Sequence, residues 1–158
     1  MKGKDPKLFS CMERRGAILV IDDDEDYSCL VEIAFQEAGV DYPMELAQDG
    51  WQAVDYLSRT APENADATAA IPSLVLLDLR MPGITGLEVL RWIRSQPYLN
   101  DVPVVVFTGL EAGEEPSQAF DLGATSLRLK PFAYRELVEE AKHLNEMYLE
   151  AHEVRHAA

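Results

Sequence analysis

The stretch over residues 17–24 reads AILVIDDD, which is an apolar run followed by three aspartates. Its apolar half contains the β-branched residues Ile18, Val20 and Ile21, which favour an extended strand. A short, unbroken apolar run bounded by polar residues is typical of a strand that is buried on both faces of a sheet. The stretch therefore predicts an inner strand of a parallel sheet, with a row of aspartates at its carboxyl end.

Four further apolar runs repeat this pattern, and an amphipathic stretch follows each of the five. The predicted strands are Ala17–Ile21, Met44–Ala47, Ser73–Leu77, Val102–Phe107 and Thr125–Leu129. Apolar residues at helical spacing predict helices over Tyr27–Ala38, Trp51–Leu57, Leu87–Ile93, Glu115–Leu122 and Tyr134–Leu149. Strands that alternate with helices predict right-handed crossovers and an α/β fold with a doubly wound, five-stranded parallel sheet.

Length and composition suit one folded domain with short extensions. The chain has 158 residues, of which 47% are hydrophobic, so it can bury a core without disulfides or a structural metal. We expect a flexible N-terminal arm over residues 1–16, the folded domain over 17–149 and a tail over 150–158. The polar stretch Arg59–Ile71 is predicted to be a surface insertion, with a functional loop as the alternative.

The charge balance excludes some classes of partner. The arm carries a net charge of +3; because the whole chain carries −14, residues 17–158 carry −17. Such a surface repels phosphate backbones, so direct nucleic-acid binding is not expected. No apolar run approaches the roughly 18 residues that a membrane span needs. Cys11 and Cys29 form no close pair, as is usual for a cytoplasmic protein.

Polar residues follow four of the predicted strands. Asp22 and Asp23 follow the first strand, Asp78 the third, Thr108 the fourth and Lys130 the fifth. The carboxyl ends of parallel strands share one edge of a sheet, which is where ligands bind in doubly wound folds. Each residue alone has a simpler explanation as a helix cap, a turn residue or a solvated lysine, but together they predict a site.

The chemistry of this set is that of phosphoryl transfer. Three neighbouring carboxylates resist joint ionisation, and Mg²⁺, which prefers carboxylate, water and phosphate oxygens, relieves the repulsion. A carboxylate can then act as a nucleophile toward phosphorus, while the metal and the lysine ammonium neutralise the phosphoryl oxygens. Asp24 is instead predicted to cap the first helix.

At these residues the chain resembles the response-regulator receiver family. The matching segments are ILVIDDD (18–24), LLDLRMPG (76–83), VVFTG (105–109) and Lys130-Pro131-Phe132, and the resemblance covers about residues 17–149. It implies a flavodoxin-like sheet of strand order 2-1-3-4-5 with five helices. Residues 71–110 are most similar to single-domain regulators that are paired with bacterial phytochromes.

The resemblance also implies a role for each residue of the site. Asp78 would be the phosphoacceptor, and it would hold Mg²⁺ together with Asp23 and the backbone carbonyl of Arg80. Asp22 would hold the metal mainly through water, while Thr108 and Lys130 would contact the phosphoryl group. The Lys130–Pro131 peptide bond would be cis.

The same resemblance implies partners and a switch. The phosphoryl donor would be a phosphohistidine on a sensor histidine kinase or a histidine phosphotransfer protein. Phosphorylation would draw Thr108 inward and reshape the fourth helix, the fifth strand and the fifth helix for a downstream protein target. A homodimer through the fourth and fifth helices, or through the tail near Tyr148, is a further hypothesis.

Two positions depart from the usual pattern of the family. Leu127 stands where an aromatic residue often swings inward on activation, so we expect a muted or differently built switch at this position. Arg80, two residues after Asp78, places a guanidinium beside the site, where it could approach the phosphoryl group or an acidic neighbour. We expect Arg80 to alter the lifetime of the phosphoryl group.

Other functions fit the sequence less well. Asp22 and Asp24 have the spacing of the D-x-D motif of haloacid-dehalogenase-type phosphatases, but Asp26 stands where that motif has Thr or Val. The same aspartates have EF-hand spacing, but Tyr27 and Ile33 replace the glycine and glutamate that such a calcium loop needs. The main alternative is a receiver-fold interaction module that works without phosphorylation.

Overall fold

The computed structural model describes residues 16–64, 70–109 and 113–150, and the structural statements below refer to these residues. The strands are β1 Ile18–Ile21, β2 Met44–Ala47, β3 Leu74–Asp78, β4 Val104–Thr108 and β5 Ser126–Leu129. The α-helices are α1 Glu25–Glu37, α2 Gly50–Ser58, α3 Gly86–Ser95, α4 Glu115–Asp121 and α5 Tyr134–Leu144. A 3₁₀ turn, Pro97–Leu99, follows α3, and a π-helical turn, Asn145–Glu150, follows α5.

All five strands form one parallel sheet in the order β2-β1-β3-β4-β5, as expected. Alternate residues of each inner strand point to opposite faces, so each face has its own apolar core. Leu19, Ile21, Val75 and Leu77 pack with α2, α3 and α4 on one face. Ile18, Val20, Leu74 and Leu76 pack with α1 and α5 on the other.

The strand register aligns the carboxyl ends of the strands at one edge of the sheet. Ile21 pairs with Leu77, and Asp78 in turn pairs with Phe107. Thr108 pairs with Leu129, the residue before Lys130. The polar residues that follow each strand are therefore brought to a common edge.

Helix caps and one close contact fix the helices beside this edge. The carboxylate of Asp24 accepts a hydrogen bond from the Tyr27 amide at 3.1 Å, so the predicted cap of α1 is confirmed. Such a cap contributes about 1 kcal/mol to helix stability. Gly86 begins α3 directly against β3, where a Cβ atom would lie 2.2 Å from the Asp78 carbonyl oxygen. Glycine therefore allows α3 to approach the strand that carries Asp78.

Some local expectations were wrong. Trp51, predicted on the apolar face of the second helix, is 70% exposed because Ala53 and Leu57, four residues apart, form the buried face. Leu30, predicted on the apolar face of the first helix, is 46% exposed on α1. The fourth strand begins at Val104 and not at Val102.

Other expectations concern segments that lie partly outside the described residues. These are the N-terminal arm over residues 1–16, the tail over residues 150–158 and the stretch Arg59–Ile71, of which residues 65–69 are not described. Within the described residues, no helix is both long and apolar enough to cross a membrane.

Candidate functional site

Three carboxylates meet at the carboxyl edge of the sheet. One oxygen each of Asp22, Asp23 and Asp78 can be chosen so that all three lie within 4.8 Å of one another. Asp22 is buried, with only 4% of its surface exposed, Asp78 is half-buried and Asp23 is exposed. The cluster therefore has a buried side in the sheet and an open side toward solvent.

Backbone groups orient two of these carboxylates. Asp22 Oδ1 accepts a hydrogen bond from the Asp24 amide at 2.9 Å, while the Asp22 amide donates to the Ala47 carbonyl of β2 at 3.0 Å. Asp78 Oδ1 accepts a hydrogen bond from the Arg80 amide at 3.3 Å. Both side chains are thus held at the edge by the loops that leave β1 and β3.

Lys130 brings a positive charge to the same cluster. Its ammonium Nζ lies 2.7 Å from Asp22 Oδ2 and 4.0 Å from Asp78 Oδ2. The Lys130 amide donates to the Thr108 carbonyl at 2.8 Å, which fixes its backbone beside β4. The expected cis bond between Lys130 and Pro131 is not found: the peptide bond is trans. Trans is the ordinary preference before proline, and the long lysine side chain reaches the carboxylates from this backbone.

The surroundings raise the pKa of Asp78 from 3.8 to about 6. Burial is the largest cause, and the charge of Asp22 adds to it, with a smaller contribution from Asp23. The Lys130 ammonium and the Arg80 amide act in the opposite direction but do not cancel the effect. The carboxylates thus hold more negative charge than the single ammonium neutralises.

This donor set fits a divalent cation. The three aspartates offer hard oxygen ligands from two adjacent strands, and one side of the cluster is open to water. Mg²⁺ is commonly held by one or two carboxylates together with several waters, so it does not need a closed protein cage. A cation would also offset the burial and the repulsion from Asp22 that together raise the pKa of Asp78.

The remaining predicted residues lie around the cluster. Thr108, at the end of β4, is 8% exposed and lies one residue beyond the strand partner of Asp78. Leu127 is half-buried in β5 and packs against the core on the α2–α4 face. The side chain of Arg80 forms an ion pair with Glu115 of α4, with 3.2 Å between Nε and Oε2. Among the described residues, Glu115 is therefore an acidic neighbour of Arg80.

Tyr27 is the residue of this region whose role the sequence did not indicate. Its helical spacing predicted a place on the apolar face of α1, and it does pack against that core. Its ring also lies beneath Lys130, with Nζ 4.1 Å from the ring centroid. No sequence motif signals this contact, because it joins the first turn of α1 to the end of β5.

Comparison with known proteins gives relatives over most of the chain. The probable methanogenesis regulatory protein FilR2 of Methanothrix harundinacea is 30% identical over 132 residues, which are 84% of this chain and 83% of FilR2. The chain spans only about half the length of several other curated relatives, which are response regulators and transcriptional regulators.

Solved structures show the same architecture. The phosphorylated cyanobacterial phytochrome response regulator RcpA matches with a TM-score of 0.73 and 30% identity, over 85% of this chain and 94% of RcpA. The Mn²⁺-bound response regulator Rcp1 matches with a TM-score of 0.70 and 26% identity, over 84% of this chain and 93% of Rcp1. The predicted similarity to phytochrome-associated regulators is confirmed.

The family model of the response regulator receiver domain matches residues 18–142, which contain all five strands and the acidic cluster. With the sheet order and the relatives described above, this match establishes the family. The chain therefore belongs to the response regulator receiver domain family of two-component signalling.

Proposed function

We propose that the protein is a phosphoacceptor of a two-component system or phosphorelay, with Asp78 as the residue that receives the phosphoryl group. The observation that carries this proposal is the Asp22–Asp23–Asp78 cluster with Lys130 Nζ at 2.7 Å from Asp22 and 4.0 Å from Asp78. A nucleophilic carboxylate, further carboxylates for a cation and an ammonium are the groups that such a transfer requires.

In the proposed reaction, a carboxylate oxygen of Asp78 attacks the phosphorus of a phosphohistidine. The new oxygen–phosphorus bond forms as the nitrogen–phosphorus bond breaks, and the imidazole leaves with the electron pair of that bond. Mg²⁺, held by Asp23, Asp78 and the Arg80 carbonyl, with Asp22 acting through water, would neutralise charge on the phosphoryl oxygens. Lys130 and the Thr108 hydroxyl would then contact those oxygens directly.

The donor would be a sensor histidine kinase or a histidine phosphotransfer protein. The likeness to RcpA favours a kinase of the phytochrome type. The acidic chain, with a net charge of −14, would dock on a basic surface of its partners in the cytoplasm. Beyond its own phosphorylation and dephosphorylation, we propose no enzymatic activity.

The output would be a change of surface that a downstream protein recognises. Movement of Thr108 toward the phosphoryl group would reshape the face formed by α4, β5 and α5, and a homodimer through this face is one proposed outcome. Leu127 has no hydroxyl to exchange between solvent and the interior, so this switch would be muted or differently built. Identical partner affinities of wild type and Leu127→Tyr, with and without phosphorylation, would count against a role for position 127.

The alternative is an interaction module that uses the fold without phosphorylation. A small phosphoryl donor with a nitrogen–phosphorus bond provides an experiment that distinguishes the two functions. We expect phosphoramidate with Mg²⁺ to convert wild type, but not Asp78→Asn, to a form with retarded mobility in a phosphate-binding gel. Mg²⁺ binding without any such conversion, in a folded protein, would favour the interaction module.

A further inference from the structure

The aromatic ring of Tyr27 contacts the ammonium group of Lys130 beside the acidic cluster. It lies in the first turn of α1, which begins directly after the aspartates of the β1 edge. Its half-buried ring faces the Lys130 ammonium, with Nζ 4.1 Å from the ring centroid. An ammonium within about 6 Å of an aromatic centroid is attracted to the face of the ring.

The ring, and not the hydroxyl, makes this contact. The hydroxyl oxygen of Tyr27 is buried, and it forms no hydrogen bond with any described protein group. Burial and the charges of Asp22 and Asp78 raise the pKa of Tyr27, so the phenol stays neutral at physiological pH. A neutral ring attracts the ammonium without offering a carboxylate-type acceptor, so the ammonium can still donate hydrogen bonds to oxygens such as Asp22 Oδ2.

We propose that Tyr27 is a positioning residue that holds Lys130 for contact with the phosphoryl group on Asp78. The ring and Asp22 hold the ammonium between them, and this places Nζ 4.0 Å from Asp78 Oδ2. This inference rests on the proposed function, since it assumes that Lys130 binds the phosphoryl oxygens.

The contacts of the Lys130 ammonium with Asp22 and with the Tyr27 ring have different roles. When a phosphoryl group forms on Asp78, Lys130 exchanges its hydrogen bond to Asp22 for one to a phosphoryl oxygen. The contact with the ring is not directional in the same way, so it persists while the ammonium turns. Without the ring, the flexible lysine chain has only Asp22 to hold it before transfer, and more of its rotational freedom is lost on contact with the phosphoryl group.

Two substitutions distinguish the contribution of the Tyr27 ring from that of its hydroxyl group. Tyr27→Phe keeps the ring, whereas Tyr27→Leu replaces it with an aliphatic side chain. Tyr56→Leu is the matched control, because Tyr56 is a half-buried tyrosine that packs against the core on the other face of the sheet. The probe is beryllofluoride, a phosphoryl mimic, added in the presence of saturating Mg²⁺.

We expect Tyr27→Leu to bind beryllofluoride about 3- to 10-fold more weakly than wild type, because the lysine side chain then loses more rotational freedom on binding. Tyr27→Phe and Tyr56→Leu should stay within about twofold of wild type. Equal affinity of Tyr27→Leu and wild type would overturn the proposal, as would a loss in Tyr27→Phe as large as that in Tyr27→Leu.

A second measurement does not depend on phosphoryl binding or on the leucine variant. The ring should shield the ε-methylene protons of Lys130, so their NMR signals should lie upfield in wild type and in Tyr27→Phe. Signals at the ordinary lysine position in both proteins would overturn the proposed contact. Absence of beryllofluoride binding in wild type, with the upfield signals present, would instead refute the proposed function and leave the contact standing.

Discussion

Replacing Asp78 with asparagine should stabilise the metal-free protein. The pKa of Asp78 is raised from 3.8 to about 6, which means that the fold disfavours its charged form. The folded protein therefore binds this proton more tightly than the unfolded chain does, and stability falls as the pH rises between these two values. Well above pH 6 this loss of stability is complete, and a neutral side chain of the same shape avoids it.

The size of the effect follows from the pKa. The rise in the pKa of Asp78 from 3.8 to about 6 corresponds to ~3 kcal/mol of unfolding free energy if the group is fully buried. Because Asp78 is only partly buried and solvent screens its charge, we expect Asp78→Asn to raise the free energy of unfolding by about 1–2 kcal/mol. That corresponds to an increase in Tm of roughly 2–6 °C for a domain of this size. The asparagine carbonyl can still accept the hydrogen bond from the Arg80 amide.

Mg²⁺ should narrow or reverse the difference in the free energy of unfolding between wild type and Asp78→Asn. At a concentration ten times its dissociation constant, a ligand that binds only the folded protein adds about 1.4 kcal/mol. Wild type should gain this amount, and Asp78→Asn should gain less than half of it.

Urea unfolding at pH 7.5, with EDTA and then with Mg²⁺, measures both effects. Asp26→Asn is the matched control, because Asp26 is exposed on the first turn of α1 and its loss should change stability by less than about 0.5 kcal/mol. If Asp78→Asn is less stable than wild type in EDTA, or if Mg²⁺ stabilises both equally, the electrostatic account of the cluster is wrong.

Three further predictions follow from the site. Protons compete with Mg²⁺ for Asp78, whose pKa is about 6. The affinity for Mg²⁺ should therefore be constant above pH 7 and fall as the pH drops below 6. Calorimetry that shows no change in this affinity down to pH 5 would contradict the prediction. Gly86→Ala places a Cβ 2.2 Å from the Asp78 carbonyl oxygen, so it should lower the free energy of unfolding by about 1–3 kcal/mol and weaken Mg²⁺ binding. Gly113→Ala, where an added Cβ has no described atom within 4 Å, should leave the affinity for Mg²⁺ unchanged. Arg80→Ala removes the ion pair with Glu115 and the guanidinium beside the site, so the rate of dephosphorylation should change. This rate can be measured from the loss of a radioactive phosphoryl label. An unchanged rate would exclude a role for Arg80.

Much of the fold was predictable because buried parallel strands have a distinctive sequence. The runs around Ile18–Ile21 and Val104–Thr108 are unbroken and rich in β-branched residues, so their positions were predicted to within two residues. The edge on which Asp22, Asp78 and Lys130 meet followed from the alternation of strands and helices alone. The order of the strands did not follow from this alternation and came from the family resemblance.

What the sequence could not indicate depends on tertiary contacts. Trp51 has the apolar character of a core residue, yet its exposure is decided by which face of a short helix meets the sheet. The partner of Lys130 is similarly a matter of geometry, since its long side chain reaches both Asp22 and the ring of Tyr27. Arg80 and Glu115 are 35 positions apart, and neither lies in a motif that indicates their ion pair.

The most direct test of the account is the intact mass of the protein after incubation with acetyl phosphate. Wild type and Asp78→Asn would be compared with and without Mg²⁺, and each product treated with mild base. We predict that wild type gains one base-labile phosphoryl group only when Mg²⁺ is present, and that Asp78→Asn gains none. A phosphoryl group of the same lability on Asp78→Asn, or none on folded wild type with Mg²⁺ bound, would contradict the assignment of Asp78 as the phosphoacceptor.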